Sequence, residues 1–273
     1  MNITGFSIVE KDNVPLISVD CINKTGLFRA YYSTGMGGVS SMPGNCSMNL
    51  NIFKSNDSKI NARENFRRFA LAAGVKSGFN KLVAQHEIHS SIIYRVTKKD
   101  YKRDILDNRA YKDADGQVTA DNIPLFVYAA DCATLMLVDP STGLYATTHC
   151  GWKNSLNNTI QNWIRLFTTM GGKTDNAIVA IGPSLCQKCF EVDDDVRMLF
   201  LNYDSSFKKY MYRLGEKTHI DLNGINGELL VREGIKESNI YISDICNNEE
   251  LQLPSFRRDK GNNGVLGGIL YRL

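Results

Sequence analysis

Apolar and polar positions follow two different periods along the chain, and together they predict a protein of mixed α-helices and β-strands. The apolar runs 124–138 and 143–149, separated by a turn-like segment at 139–143, predict a hairpin or a close strand pair that is buried on both faces. The clearest helical pattern follows, with apolar residues on one face at Leu156, Ile160, Trp163, Ile164 and Phe167. Asn154 and Ser155 are expected to cap the start of this helix.

Shorter segments repeat both periods and complete the expected order of elements. One or two strands are expected at 81–96, one each at 177–181 and 239–242, and two in 5–33 around a turn at 23–26. The other expected helices lie at 58–73, 193–201 and 223–232. Two segments have neither pattern, a loop of small residues at 35–49 and a polar excursion at 101–121. We therefore expect helices and strands to be interleaved along the chain.

The composition is that of an ordinary soluble globular protein. Of the 273 residues, 43% are hydrophobic and 22% are charged. Because no low-complexity tract, proline-rich linker or long charge run divides the chain, we expect a single domain over 1–273. The net charge is only +3, and the pairs Arg67-Arg68 and Arg257-Arg258 are isolated, so we expect no nucleic-acid partner.

Signals for export or membrane insertion are not visible in the sequence. Residues 1–19 lack a basic region followed by an apolar one, and no stretch approaches the roughly 18 apolar residues of a membrane span. The cysteines are seven, an odd number, and they are scattered from Cys21 to Cys246, which argues against a disulfide framework. We therefore expect a cytoplasmic protein with no membrane partner.

Candidate chemistry centres on two residues of the buried strand pair. His149 ends one expected strand, and Cys132 lies in the neighbouring one, within Ala130-Asp131-Cys132-Ala133. A thiolate and an imidazole that project from the ends of paired strands can bind zinc. A catalytic zinc takes three protein ligands and a water, so this interpretation requires a third ligand.

Two candidates for the third ligand lie in the segment Gln85-His86-Glu87-Ile88-His89. The segment is one residue shorter than the His-Glu-x-x-His motif of zinc proteases, so it cannot place both histidines on one helical face. If it is a strand, His86 and His89 point to opposite faces, and at most one of them reaches a given site. The residues alone leave the choice between the two open.

Motifs in order along nearly the whole chain resemble those of one family. Thr-His-Cys-Gly-Trp-Lys at 148–153 is similar to the family motif His-Ala-Gly-Trp-Arg/Lys-Gly, and Ala-Asp-Cys at 130–132 is similar to its Ala-Asp-Cys. Further matching elements lie at 37–40, 47–50, 64–67, 115–119, 182–184, 191–192, 221–222 and 256–259. The chain thus resembles the YfiH or laccase-domain family, which is understood as purine nucleoside phosphorylase and adenosine deaminase.

This resemblance implies an α+β fold, a four-layer α/β sandwich with mixed sheets that is shared with bacterial toxin deamidases. It implies phosphorolysis of adenosine, inosine, guanosine and methylthioadenosine, together with deamination of adenosine. The partners would be purine nucleosides and phosphate, and the chain would be a monomer or a homodimer. The family's first metal ligand is a histidine followed at +4 and +7 by β-branched residues, a pattern that His89 fits better than His86. The implied zinc ligands are therefore His89, Cys132 and His149.

For phosphorolysis, the charge and backbone of particular residues indicate which of them hold substrate. Lys153 and the start of the helix after it would attract an incoming phosphate, which gives Lys153 a catalytic as well as a binding role. Gly37 and Gly38 would cradle phosphate with their backbone. Asn49 and Arg258, which lie in matching motifs, complete the implied substrate site.

Two other functions compete with this interpretation. The family has an older description as a copper polyphenol oxidoreductase, and two histidines with a cysteine are a plausible copper set. A laccase needs several coppers, however, and four histidines are too few for such a cluster. The second alternative is a metal-free cysteine hydrolase with Cys132 as nucleophile and His149 as base.

A second cysteine motif, Cys186-x-x-Cys189, has the spacing of one half of a structural zinc site. The other half is not visible in the sequence, because Cys21, Cys46 and Cys246 are isolated from one another. We therefore expect these two cysteines to serve local packing rather than to bind metal.

Overall fold

The computed structural model of the chain describes residues 5–41, 46–51, 57–100, 105–106 and 112–273. The loop predicted at 35–49 and the excursion predicted at 101–121 therefore lie partly outside the described residues. The strands are β1 (Phe6–Lys11), β2 (Val14–Val19), β3 (Phe28–Ser33), β4 (Ile93–Arg95), β5 (Gly116–Thr119), β6 (Leu125–Ala129), β7 (Ala133–Val138), β8 (Tyr145–Cys150), β9 (Ile178–Ile181), β10 (Glu191–Val192), β11 (Met211–Leu214), β12 (Lys217–Ile220), β13 (Ile240–Ile242) and β14 (Leu266–Arg272).

The α-helices among these residues are α1 (Asp20–Asn23), α2 (Lys59–Ala72), α3 (Trp152–Leu156), α4 (Thr159–Thr169), α5 (Asp194–Tyr203), α6 (Leu222–Arg232) and α7 (Phe256–Asp259). Short 3₁₀-helices lie at Phe79–Lys81, Thr174–Asn176, Ser205–Tyr210 and Glu237–Asn239. In the described part of the chain, none of the helices has both the length and the apolar character that crossing a bilayer requires.

Three sheets organise the described strands. Five strands pair in the order β1-β2-β3-β14-β6, six in the order β13-β9-β7-β8-β5-β4, and three in the order β10-β12-β11. The six-stranded sheet is mixed, because β13 is parallel to β9 and β4 is parallel to β5, while β7 is antiparallel to both β8 and β9. The predicted hairpin is confirmed by the pairing of Val138 with Tyr145 across the β7–β8 turn.

Side chains alternate between the two faces of each strand. The two large sheets therefore pack against each other through one face, and helices cover the other face of each sheet. In β7, Met136 joins the core between the two sheets, whereas its neighbour Leu135 joins the core on the far face, under Trp163 of α4. On the outer face of the five-stranded sheet, Phe66 of α2 packs with Ile269 of β14. The resulting order, helix, sheet, sheet and helices, confirms the expected four-layer α/β sandwich with mixed sheets.

Several predicted bounds are wrong for identifiable local reasons. Residues 5–33 contain three strands rather than two, since Asp12 and Asn13 take positive φ angles and form a tight turn between β1 and β2. The helix predicted from 154 starts earlier and is interrupted at Asn158, whose φ of 58° separates α3 from α4. The segment 81–96 contains only the short strand β4, so most of the predicted strand is absent.

The apolar run 124–138 is also not one strand. It divides into β6 and β7, which belong to different sheets. The corner between them includes Asp131, whose φ of 81° lies in the left-handed region that few residues other than glycine adopt. Because the chain crosses from one sheet to the other here, the residue after the corner, Cys132, lies at the seam between the sheets.

Candidate metal centre

A thiol and two imidazoles meet at this seam. The ligand atoms of His89, Cys132 and His149 all lie within 4.8 Å of one another. Sγ of Cys132 is 3.9 Å from Nε2 of His89, and the two imidazole rings have centroids 4.8 Å apart and planes at 90°. Three ligand atoms this close can surround one metal ion after a small contraction. The structure thus brings together the three residues that the resemblance implied.

Strand register places two of these side chains together. His149 lies opposite Thr134 in the β7–β8 pair, and Cys132 precedes Thr134 by two residues, which puts both side chains on the same side. The Asp131 carboxylate accepts a 2.6 Å hydrogen bond from the backbone N–H of Arg257 and so anchors the corner that leads into Cys132. Sheet pairing and an anchored corner therefore determine where the thiol lies.

His89 reaches the cluster from a loop and not from a strand. Its φ is 59°, and the backbone N–H groups of Ile88, His89 and Ser90 all donate to the Asp115 carboxylate, at 3.4, 3.0 and 2.5 Å. The strand alternation on which the sequence argument relied is therefore wrong. His86 lies apart from the cluster, with Nδ1 2.8 Å from Oδ1 of Asp113.

Asp115 also orients the second imidazole. Its Oδ1 is 2.9 Å from Nδ1 of His149, and both side chains are inaccessible to solvent, 0% and 4% exposed. The Nε2 atom of His149 is thereby left to face Cys132 and His89. A carboxylate behind a histidine ligand fixes its tautomer and its ring orientation. One buried carboxylate thus positions both histidines.

Asp115→Asn is expected to weaken metal binding by about 10–100-fold, the usual effect of removing such a partner. The new amide group would direct N–H donors at the backbone N–H groups of the loop or at the imidazole, and we expect a stability loss of about 1–3 kcal/mol. Competition with a chelator measures the affinity. Asp113→Asn is the matched control, since Asp113 is 65% exposed and bonds to His86 outside the cluster. Equal affinities of Asp115→Asn and the unaltered protein would contradict this role.

The charges of the cluster favour a thiolate. Burial by itself would raise the pKa of the Cys132 thiol, but the imidazoles of His149 and His89 lower it to about 6. Burial would likewise lower the pKa of His149, yet the carboxylate of Glu87, the Cys132 sulfur and Asp115 raise it well above its usual value. A thiolate at neutral pH is the form of cysteine that binds metal.

Gly151 leaves the room that the cluster occupies. A Cβ atom at this position would lie 2.8 Å from Sγ of Cys132 and 3.5 Å from Nε2 of His89. Any side chain would therefore push the thiol out of place. The motif Gly-Trp-Lys therefore requires glycine at this position to avoid a clash with Cys132, and this requirement is not visible in the sequence.

Two adjoining cavities open onto the cluster. One has a volume of about 280 Å³ and includes Glu87, Tyr128 and Asn51 in its lining, and the other has about 380 Å³ and includes Trp152 and Arg257. Both are lined by His89, Ala130, Cys132 and Phe256. Together they have the size of a small-molecule binding site.

Glu87 is a candidate functional residue that the sequence reasoning missed. Removal from water raises the pKa of its carboxyl to about 8, against the opposing effect of His149. Its Oε1 accepts a 3.1 Å hydrogen bond from the backbone N–H of Tyr128. The available signal is its position two residues before His89, within the incomplete protease motif.

The predicted phosphate-binding residues lie further out. Lys153 is exposed, its Nζ lies 5.6 Å from the centroid of the Trp152 ring, and it is not among the lining of either cavity. The cation that does line the larger cavity is Arg257, which the sequence reasoning did not select. The role of Lys153 stays a prediction.

The remaining predicted substrate residues make internal contacts. The guanidinium of Arg258 donates to the backbone oxygens of Asn247 and Leu253 at 2.9 and 2.6 Å. Asn49 is fully buried, and a Cβ atom on Gly38 would lie 2.5 Å from Oδ1 of Asn65, so Gly38 is needed for packing. Gly37, with a φ of 87°, forms a turn in the same loop. Their substrate roles also stay predictions.

The donor set has the make-up of a catalytic metal site. All four histidines of the chain lie in its described part, and two of them enter the cluster, while Nδ1 of His219 is 2.8 Å from the backbone oxygen of Lys188. One thiolate and two imidazoles suit a single zinc with an open position, whereas a multicopper cluster needs more imidazoles. The fold and the site together define a candidate metalloenzyme with a small-molecule cavity.

Comparison with known proteins assigns the family. The family model described as multi-copper polyphenol oxidoreductase laccase matches residues 29–272, so the chain belongs to that family. A protein of Deinococcus radiodurans named purine nucleoside phosphorylase is 26% identical over 88% of this chain and 87% of its own. A protein from an unknown prokaryotic organism named adenosine deaminase RL5 is 30% identical over 75% of this chain and 80% of its own. The crystal structure of YfiH from Bacillus licheniformis has the same fold, with a TM-score of 0.88 at 23% identity over 98% of this chain and 99% of that one.

Proposed function

We propose that this protein is a zinc-dependent purine nucleoside enzyme that phosphorolyses adenosine, inosine, guanosine and methylthioadenosine and deaminates adenosine. The observation that carries the proposal is the cluster of His89, Cys132 and His149, which opens into a cavity beside the carboxyl of Glu87. Relatives named as a phosphorylase and a deaminase support it over most of the chain. All seven cysteines are free thiols, which supports a reducing compartment such as the cytoplasm.

The donor atoms fit zinc. The Cys132 thiol has a lowered pKa, and Asp115 holds Nδ1 of His149, so that a metal would displace the proton on Nε2. Zinc bound there would supply a hydroxide near neutral pH, because it lowers the pKa of a bound water to about 7.

Deamination requires proton transfer that Glu87 is placed to perform. Water adds to C6 of adenine and ammonia leaves, so one proton must be taken from the water and one given to the departing amine. Glu87 lines the cavity that contains Cys132 and His149 and is not a member of the ligand cluster. We assign it the role of general acid and base, which zinc deaminases give to a glutamate that is not a metal ligand.

Phosphorolysis requires cations for the incoming anion. A phosphate oxygen forms a bond to C1′ of the ribose while the bond from C1′ to N9 breaks and the purine leaves. Arg257 lines the larger cavity, and Lys153 lies beside Trp152, which lines the same cavity. We assign Arg257 to the binding of phosphate in the larger cavity, and Lys153 to attracting the anion from solution.

With adenosine and phosphate, the enzyme is expected to release adenine and ribose 1-phosphate, and without phosphate it is expected to form inosine. Chromatography separates these products. Lys153→Ala should reduce phosphorolysis more than deamination, because only phosphorolysis must bind an anion from solution.

The alternative functions give different results in the same assays. Oxidation of phenols that needs added copper, with no base released from any purine nucleoside, would support the polyphenol oxidoreductase. Activity that survives complete removal of metal but is lost in Cys132→Ala would support a cysteine hydrolase. Equal losses of both reactions in Lys153→Ala would contradict the phosphate role of Lys153.

A further inference from the structure

A second group of metal-ligating side chains lies outside the candidate centre. The ligand atoms of Cys186, Cys189, Cys246 and Glu249 all lie within 4.8 Å of one another. Sγ of Cys186 is 3.7 Å from Oε2 of Glu249. Three thiols and a carboxylate are four donors, the number that a structural zinc site contains.

Two turns of equal length present these donors. Residues 186–189 and 246–249 each place a donor at the first and fourth position, and each turn closes with a 2.9 Å backbone hydrogen bond, from Phe190 to Cys186 and from Glu250 to Cys246. Structural zinc sites are commonly built from two such halves. The second half was missed in the sequence because it pairs a cysteine with a glutamate.

Backbone contacts hold the two turns side by side. Ser184 and Cys246 form a parallel bridge, and the N–H of Asn247 donates to the oxygen of Ser184 at 3.1 Å. The N–H of Cys186 lies 3.4 Å from Sγ of Cys246. The fold itself therefore brings the two halves together, although they are far apart in sequence.

The surroundings of the donors resemble those of a bound metal. Nδ2 of Asn248 donates to Sγ of Cys189 at 3.4 Å, and Nζ of Lys188 lies 2.8 Å from Oε1 of Glu249, which leaves Oε2 turned to the thiols. Outer hydrogen bonds of this kind orient ligands and balance their negative charge. With Zn–S bonds of about 2.3 Å, neighbouring sulfurs of a tetrahedral site are about 3.8 Å apart, so a contraction of about 1 Å would form the site.

We propose that Cys186, Cys189, Cys246 and Glu249 form a second, structural zinc site. Three soft thiolates among the four donors favour zinc over the hard cations magnesium and calcium. Binding would tie the chain after β9 to the chain after β13. It would also fix one wall of the larger cavity, because Leu185 and Phe190 flank the first turn and line that cavity.

The test is the number of zinc ions that the full-length protein retains after saturation with zinc sulfate and removal of excess metal. We expect about two per chain in the unaltered protein and about one in Cys186→Ser and in Cys189→Ser. Cys132→Ala should also retain about one zinc, since it keeps the second site. Loss of one site should therefore leave the other occupied. The matched control is Cys21→Ser, a half-buried thiol outside both groups, which should retain two.

Two further measurements identify the donors. Cobalt bound to Cys132→Ala protein should show strong thiolate charge-transfer absorption, which should disappear when Cys189→Ser is added. Glu249→Ala changes a side chain that is 43% exposed and should fold normally, but it should lose its second metal to a chelator faster than the unaltered protein does. Cys132→Ala protein that retains no zinc, a zinc content in Cys189→Ser equal to that of the unaltered protein, or a disulfide among these cysteines in protein purified under reducing conditions would overturn the proposal.

Discussion

Alanine at Cys132, His149 or His89 is expected to remove zinc from the candidate centre and to reduce phosphorolysis and deamination to background. A catalytic zinc depends on three protein ligands, and each of these variants leaves only two in the cluster. In His149→Ala, the Asp115 carboxylate would also lose its imidazole partner inside the core. Elemental analysis and product chromatography on the same preparations measure both effects.

His86→Ala is the matched control for this experiment. His86 is three residues from His89 and also lines the cavity, but its Nδ1 faces Asp113 and its ring lies outside the cluster. We expect this variant to keep its zinc and most of its activity. Full zinc occupancy in Cys132→Ala would refute the ligand assignment. Loss of activity in His86→Ala together with full activity in His89→Ala would also refute it.

Glu87→Gln is expected to lower the rate of deamination by about 10²–10⁴-fold, the usual contribution of a general acid or base. Glutamine keeps the size of the side chain and can still accept the hydrogen bond from Tyr128, but it cannot exchange a proton. The metal content should stay unchanged, because Glu87 is not a member of the ligand cluster. Single-turnover kinetics on protein of known zinc content measure the effect.

The control for Glu87 is Glu10→Gln, an exposed carboxylate on β1 that is not among the lining residues of either cavity. It should leave both reactions unchanged. If Glu87→Gln keeps full deamination with full zinc occupancy, the proton must move through another group. If it loses zinc as well, Glu87 supports the ligands, and the expectation of unchanged metal content is wrong.

The part of the site that could be predicted depends on neighbouring strands. The runs that became β7 and β8 are joined by a short turn, so the proximity of Cys132 and His149 follows from local pairing. The position of His89 does not follow from local pairing. It depends on Asp115, 26 residues away, whose carboxylate accepts hydrogen bonds from the backbone of the loop. A positive φ at a histidine is not visible in any hydrophobic pattern.

The fold shows the same division between local and distant causes. The apolar face of α4 with Ile160 and Trp163 was predicted because helical spacing is local. The crossing at Asp131 was not, since an uninterrupted apolar run does not reveal that its halves pair with different sheets. The grouping of Cys246 with Cys186 likewise depends on chain contacts over 60 residues.

The position of β14 has a consequence for how the protein is made. This strand pairs with both β3 and β6 and so lies inside the five-stranded sheet, although it is the last strand in chain order. The sheet therefore stays open during translation until residues 266–272 have left the ribosome. Until then, the edges of β3 and β6 that β14 covers are unpaired, which exposes them to pairing with another chain or to binding by chaperones.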